Sequence, residues 1–293
     1  MSKSEIDAIR EALRARPRPV GWTERRERLD AIAQASPVES DIKLEPVDAG
    51  GVPAEWSLAP GSDPTKVLMF LHGGGYCSGS IASHRGMVTR VGRAAGVRTL
   101  ALNFRLAPEH PFPAALTDAL AAYRFLLAQG IAPRHIAIGG DSAGGGLTLA
   151  TMLSLRDAGK PLPGCAWLVS PWTDLAMTGA SLADKADVDP LIQRVYLEEL
   201  ASAYLAGADA KAPLVSPLYA DLSGLPPLLV QVGSAETLLD DAVRTVRRAG
   251  AADVPVSLEV WPHMIHAWHL WAAQVGDARQ AIASAGAFMR TRL

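Results

Sequence analysis

The sequence predicts an α/β fold in which a mostly parallel sheet carries helices on both faces, with a helical cap over one end. Three observations lead there. Short runs of consecutive apolar residues alternate with longer segments at helical spacing. The runs 67–71, 136–138 and 165–169 are apolar throughout rather than at every second position, as in strands buried on both faces. One run leads directly through a glycine-rich turn into a helix.

Each element has its own signal. Ser4 followed by Asp7 reads as a capping box, Ile6, Ile9 and Leu13 share a helical face, and Pro17 and Pro19 end the helix. Thr23 caps a second helix carrying Leu29 and Ile32. Both helices are too polar to build a core, so they lie on something else. Ile42 to Val47 and Val52 to Leu58 are strands around the turn Asp48-Ala-Gly-Gly51. Further strands are expected at 67–71, 98–102, 136–138, 165–169, 228–232 and 256–260. Helices are expected at 84–95, 113–129, 143–157, 237–250 and 276–292. Between Val169 and Leu228 only a helical stretch at 189–206 is visible. A structureless loop of that length is uncommon inside a domain. Residues 178–212 are therefore read as an insertion that joins the N-terminal helices in a cap. The expected organisation is 1–40 N-terminal cap helices, 41–177 first part of the core, 178–212 cap insertion, and 213–293 second part of the core.

Composition narrows the function. Apolar residues make up 49% of the chain and charged ones 20%, as in a compact globular protein. The net charge of −2 comes with no basic stripe or charged tail, which argues against nucleic acid and leaves a small molecule as the expected partner. The charged N-terminus contains no signal-peptide core, and no run of about 18 apolar residues occurs, so no membrane partner is expected. The two cysteines, Cys77 and Cys165, imply no disulfide framework and fit free thiols in a cytoplasmic protein.

The motifs carry the chemistry. Gly140-Asp-Ser-Ala-Gly144 matches the nucleophile turn G-x-S-x-G between a strand and a helix, which makes Ser142 the candidate nucleophile. The phosphate-binding alternatives fail, because neither G-x-G-x-x-G nor the Gly-Lys-[Ser/Thr] ending is present. His72-Gly-Gly-Gly75 follows the strand 67–71. Its glycines let backbone N–H groups approach a reacting carbonyl, so Gly74 and Gly75, with Ala143 after the nucleophile, are the candidate oxyanion donors. His72 itself is expected to order the loop. A base should follow the serine in the chain with an acid between them. His263, His266 and His269 are the candidates for the base. His266 is preferred, with His263 and His269 read as surface or rim residues. Their spacing also permits a metal site, but no acidic ligand cluster accompanies them, so no metal is assigned. For the acid, Glu236, Asp240 and Asp241 follow the strand 228–232. Glu236 is preferred because it falls in the loop, and the two aspartates are expected to cap or orient the next helix. Tyr76, Trp172, Met264 and Ile265 are candidate pocket residues, although core packing accounts for them equally well.

At this point the chain resembles the hormone-sensitive-lipase-like group of bacterial carboxylesterases. The resemblance is carried by His72-Gly-Gly-Gly75, Arg105-Leu-Ala-Pro-Glu109, Gly140-Asp-Ser-Ala-Gly144, Ser170-Pro-Trp172 and the late acid and histidine segments. It implies an α/β-hydrolase fold with an eight-stranded sheet, no cofactor, and hydrolysis of short- to medium-chain esters by Ser142, Glu236 and His266. Arg105 and Glu109 would stabilise their loop, and a homodimer joined through the last strand would be expected. The chain departs from the pattern at Glu236-Thr237, where most relatives carry Asp-Pro. A lactone hydrolase or amidase would use the same triad. A non-catalytic receptor on this fold would have lost the histidine that is present here.

Overall fold

The computed structural model describes residues 2–293, with side chains from residue 4 onward. Its eight strands are β1 (Lys43–Asp48), β2 (Pro53–Leu58), β3 (Asp63–Leu71), β4 (Val97–Leu102), β5 (Ile136–Asp141), β6 (Cys165–Val169), β7 (Leu228–Gly233) and β8 (Val256–Trp261). They form one sheet in the order β1-β2-β4-β3-β5-β6-β7-β8. Only the β1–β2 and β2–β4 pairs are antiparallel, and every pair from β4 to β8 is parallel. This is the mostly parallel α/β architecture the sequence predicts.

The helices are α1 (Ser2–Arg14), α2 (Gly21–Asp30), α3 (Ile81–Ala95), α4 (Ala114–Ala128), α5 (Ala143–Asp157), α6 (Ser181–Asp184), α7 (Arg194–Leu205), α8 (Leu239–Ala251) and α9 (Gly276–Arg290). The pleat of β3 shows how they cover both faces. Val67, Met69 and Leu71 join a core with Leu116 and Tyr123 of α4 and Leu153 of α5. Leu68 and Phe70 turn the other way, into a core with Val88 and Val91 of α3 and Ala281 and Ala285 of α9. Each buried aliphatic side chain contributes about 1.5–3 kcal/mol. The backbones of α3 and α9 approach so closely that a Cβ on Gly286 would meet Ala94.

Three local expectations change. α1 already runs from Ser2, so Ser4 lies inside the helix rather than at its cap. Thr23 is likewise inside α2, which starts at Gly21. The helix expected over 189–206 begins only at Arg194, because Asp189 precedes a proline, which disfavours helical backbone at that residue. The Asp189 carboxylate instead accepts from the N–H groups of Leu191 and Ile192 at 2.8 and 2.9 Å, and from Thr237 N–H at 2.8 Å. Among the described residues no helix is long and apolar enough to cross a membrane.

α2 is pinned to the sheet domain by Arg26. Its guanidinium donates to the Cys77 carbonyl at 2.9 Å and pairs with Glu109 at 2.6 Å. Arg105 pairs with Asp118 at 2.6 Å, so both charged residues of the Arg105–Glu109 segment anchor their loop. Arg10 of α1 donates to the His263 carbonyl at 2.8 Å. The N-terminal helices therefore reach two loops at the same end of the sheet.

Candidate active site

Ser142 joins β5 to α5 with φ 54° and ψ −122°, a conformation that costs a non-glycine residue about 1–3 kcal/mol. Small neighbours make the turn possible. A Cβ on Gly144 would run into the Leu71 carbonyl, and one on Gly140 into the Gly144 backbone. Flanking bonds hold the strain: Ser142 N–H donates to the Val169 carbonyl, and its own carbonyl accepts from Trp172 N–H, both at 2.9 Å. The residue stands at the wall of a cavity of about 190 Å³.

The loop after β3 forms another wall. Gly74 and Gly75 sit at φ 111° and 64°, and a Cβ on Gly74 would strike the Ser78 carbonyl. Both line the cavity. Among the described residues no backbone carbonyl accepts from their N–H groups. Gly73 N–H, by contrast, donates to Asp141 at 2.9 Å. Ala143 is buried directly after Ser142 as the first residue of α5.

His266 lies beyond β8 and lines the same cavity as Ser142. Its Nδ1 is 2.8 Å from Glu236 Oε2. An ionised carboxylate only accepts, so Nδ1 carries the proton and Nε2 is left as the basic nitrogen of the neutral ring. Burial pushes the imidazole down, but the Glu236 hydrogen bond and charge outweigh it, and the His266 pKa is raised above its usual 6.5. Glu236 is held in turn by Ser170 Oγ at 2.8 Å and Gly233 N–H at 2.5 Å, both on Oε1. Ser170 Oγ also accepts from Ala267 N–H at 3.1 Å, which ties the acid to the histidine loop.

The remaining sequence candidates disperse. Asp241 turns away from His266 and accepts from Thr173 and Asp174 N–H at 2.8 and 2.9 Å. Asp240 accepts from Ser181 N–H at 2.9 Å. Of the two roles expected, capping or orienting the next helix, the bonds fit the second: they tie α8 to the loop after β6 and to the α6 segment. His263 is exposed, as anticipated, but His269 is not a rim residue. It is fully buried against Trp167 and Trp268, with Nε2 2.9 Å from Gln231 Oε1, and burial pushes its pKa down to about 3. His72 stacks on Phe104 at 4.2 Å with Nδ1 against the Gly73 carbonyl, ordering the loop. Of the four pocket candidates, Trp172 lines the cavity. Tyr76 does not, because it stacks on Tyr204 at 3.7 Å inside the core. Met264 and Ile265 are core residues as well, packed beneath the loop whose next residue is His266.

Sequence reasoning missed two supports. Asp141, inside the nucleophile motif, bridges Gly73 N–H and His84 Nε2 (3.2 Å). Burial pushes its carboxyl up, but the charges of His84 and His266 and the hydrogen bonds from His84 and Gly73 together outweigh this, and the pKa is lowered. Ser170 had been noted only as part of a family mark. The positive φ of 43° that follows β6 gives no sequence signal at a serine.

A family model described as the α/β-hydrolase fold matches residues 68–270. The chain belongs to that family. An acetyl-hydrolase of Streptomyces hygroscopicus is 43% identical, covering 99% of this chain and 98% of the relative. The crystal structure of an esterase from the bacterial hormone-sensitive lipase family superposes with TM-score 0.96 at 46% identity, covering 99% and 98%. That of EstE5 soaked with p-nitrophenyl butyrate gives 0.95 at 44% identity, covering 98% of each chain. The α/β-hydrolase described here is thus a serine hydrolase of the bacterial hormone-sensitive lipase family and of the esterase type.

Proposed function

We propose that the protein hydrolyses short- to medium-chain carboxylic esters through Ser142, His266 and Glu236. The observation that carries this reading is the Glu236–His266 pair: it fixes the imidazole tautomer beside the cavity that Ser142 also lines. His266 Nε2 takes the hydroxyl proton as Ser142 Oγ attacks the ester carbonyl. The negative charge forms against the N–H groups of Gly74, Gly75 and Ala143 and the N-terminus of α5. His266 then protonates the leaving alcohol, and water repeats the sequence on the acyl-enzyme. Glu236 holds the imidazole's tautomer and stabilises the imidazolium. Residues 1–40 and 178–212 act as a cap, a role supported by Leu13 and Ile32 on one side and Tyr196 and Leu197 on the other, all of which line the cavity.

p-Nitrophenyl butyrate, soaked into the related EstE5 crystal, is a suitable first substrate. Ser142→Ala is expected to lower its turnover by about 10⁴-fold or more, since a triad works as a unit. A fluorophosphonate is expected to label the wild type at Ser142 and not the variant. Retention of a tenth of the activity would overturn the assignment.

A further inference from the structure

We propose that the ester taken by this site carries a carboxylate, bound by Arg25 in the cavity wall; this rests on the ester-hydrolase reading above. The cavity is electrically lopsided. Arg16, Arg18, Arg25 and Arg28 line it on the N-terminal side, and Asp141, beside Ser142, is its single acidic lining residue. Arg28 is occupied by Glu24 at 3.1 Å and by the Pro17 carbonyl. The ion pairs of the N-terminal segment use Arg10, Arg25, Arg26 and Arg28, and among the described residues the exposed Arg16 and Arg18 form none.

Arg25 is the unusual member. It is 7% exposed, held between the rings of Trp22 and Tyr196 at 4.9 Å from each centroid. Nη2 meets the half-exposed Glu199 at 2.5 Å. Nε and Nη1 are buried without any hydrogen-bond partner. A buried guanidinium with two unmet donors is costly to keep, and a ligand carboxylate would supply charge-assisted acceptors. The same cavity is also lined by Leu13, Leu29, Leu191 and Leu197. An aliphatic lining shared with a guanidinium fits an ester linked by a methylene chain or ring to an anionic end. Arg16 and Arg18 would steer the anion inward. Hydrolysis adds water across the acyl C–O bond, releasing an acid and an alcohol, and leaves the second carboxylate unchanged.

The test compares p-nitrophenyl hydrogen adipate and suberate with their methyl-capped neutral counterparts. A second arm compares 4-carboxyphenyl butyrate with its methyl ester, which places the anion on the alcohol side. The wild type is expected to favour the carboxylate in one arm by about tenfold or more in kcat/KM, mainly through KM, as one charge-assisted bond allows. Arg25→Gln should bring that ratio close to one. Arg16→Gln with Arg18→Gln should lower it by about twofold to fivefold and flatten its salt dependence. A merely structural Arg25 would depress both esters alike and leave the ratio intact, which overturns the proposal. Turnover of neutral esters with no carboxylate preference in either arm also overturns it while the ester reading stands. Failure of the wild type on every ester removes both.

Discussion

His266 and His269 lie three residues apart in one loop and are both almost fully buried, yet their basicities move in opposite directions. The partner makes the difference. His269 faces the amide oxygen of Gln231, so burial outweighs the raising effect of the Asp141 charge and the pKa falls to about 3. His266 faces the carboxylate of Glu236, whose charge and hydrogen bond outweigh the same burial. Their surroundings follow suit. Gln231 is fixed in the core, donating to Glu259 at 2.7 Å and to the Ala281 carbonyl at 2.9 Å, whereas His266 opens on a cavity. Desolvation by itself disfavours the charged imidazole; desolvation beside a held anion leaves the ring more basic than usual.

The largest test converts one environment into the other. Glu236→Gln gives His266 an amide partner and is expected to lower kcat by about 10³–10⁴-fold, the scale seen when a triad carboxylate is neutralised. The pH profile supplies the sign. The base works when neutral, so activity falls as pH drops through the raised His266 pKa. Removing the carboxylate lowers that pKa and moves the remaining acid limb to lower pH. An unmoved limb would mean that Glu236 does not set the basicity of His266. Ser170→Ala is the intermediate case. It leaves the carboxylate in place but removes one donor to Oε1 and the acceptor for Ala267 N–H, for an expected loss of about tenfold in kcat. Circular dichroism and thermal melting would confirm that the fold survives. The smallest catalytic effect belongs to the other histidine. His269→Gln is expected to change kcat less than about twofold while lowering stability by about 1–3 kcal/mol in urea unfolding. A hundredfold loss of turnover there would erase the contrast.

Much of this arrangement is legible from residues, because local sequence is what makes it. The runs 67–71, 165–169 and 228–232 all form strands, since short, largely apolar spans bounded by polar or turn residues suit the interior of a sheet. Ser142 is legible for the same reason: only glycines fit where a Cβ on residue 144 would overlap Leu71. The pocket is not legible. Tyr76, Met264 and Ile265 adjoin site residues in the chain, but the pleat and the loop turns send their side chains into the core. Nor are the supports, because the Asp141–Gly73 and Ser170–Glu236 bonds join positions more than sixty residues apart that no periodicity links. The partners of the aspartates after β7 are likewise set by packing, of the α6 segment on Asp240 and of the loop after β6 on Asp241, and not by position in a helix.

Ser142, Glu236 and His266 follow three different strands, β5, β7 and β8, and β8 is an edge strand paired only with β7. Turnover is therefore a reporter of completed assembly. During refolding from urea, ellipticity reports all the strands and helices together, whereas ester cleavage is expected only once β8 has paired with β7, so an activity assay times a pairing that spectroscopy averages away.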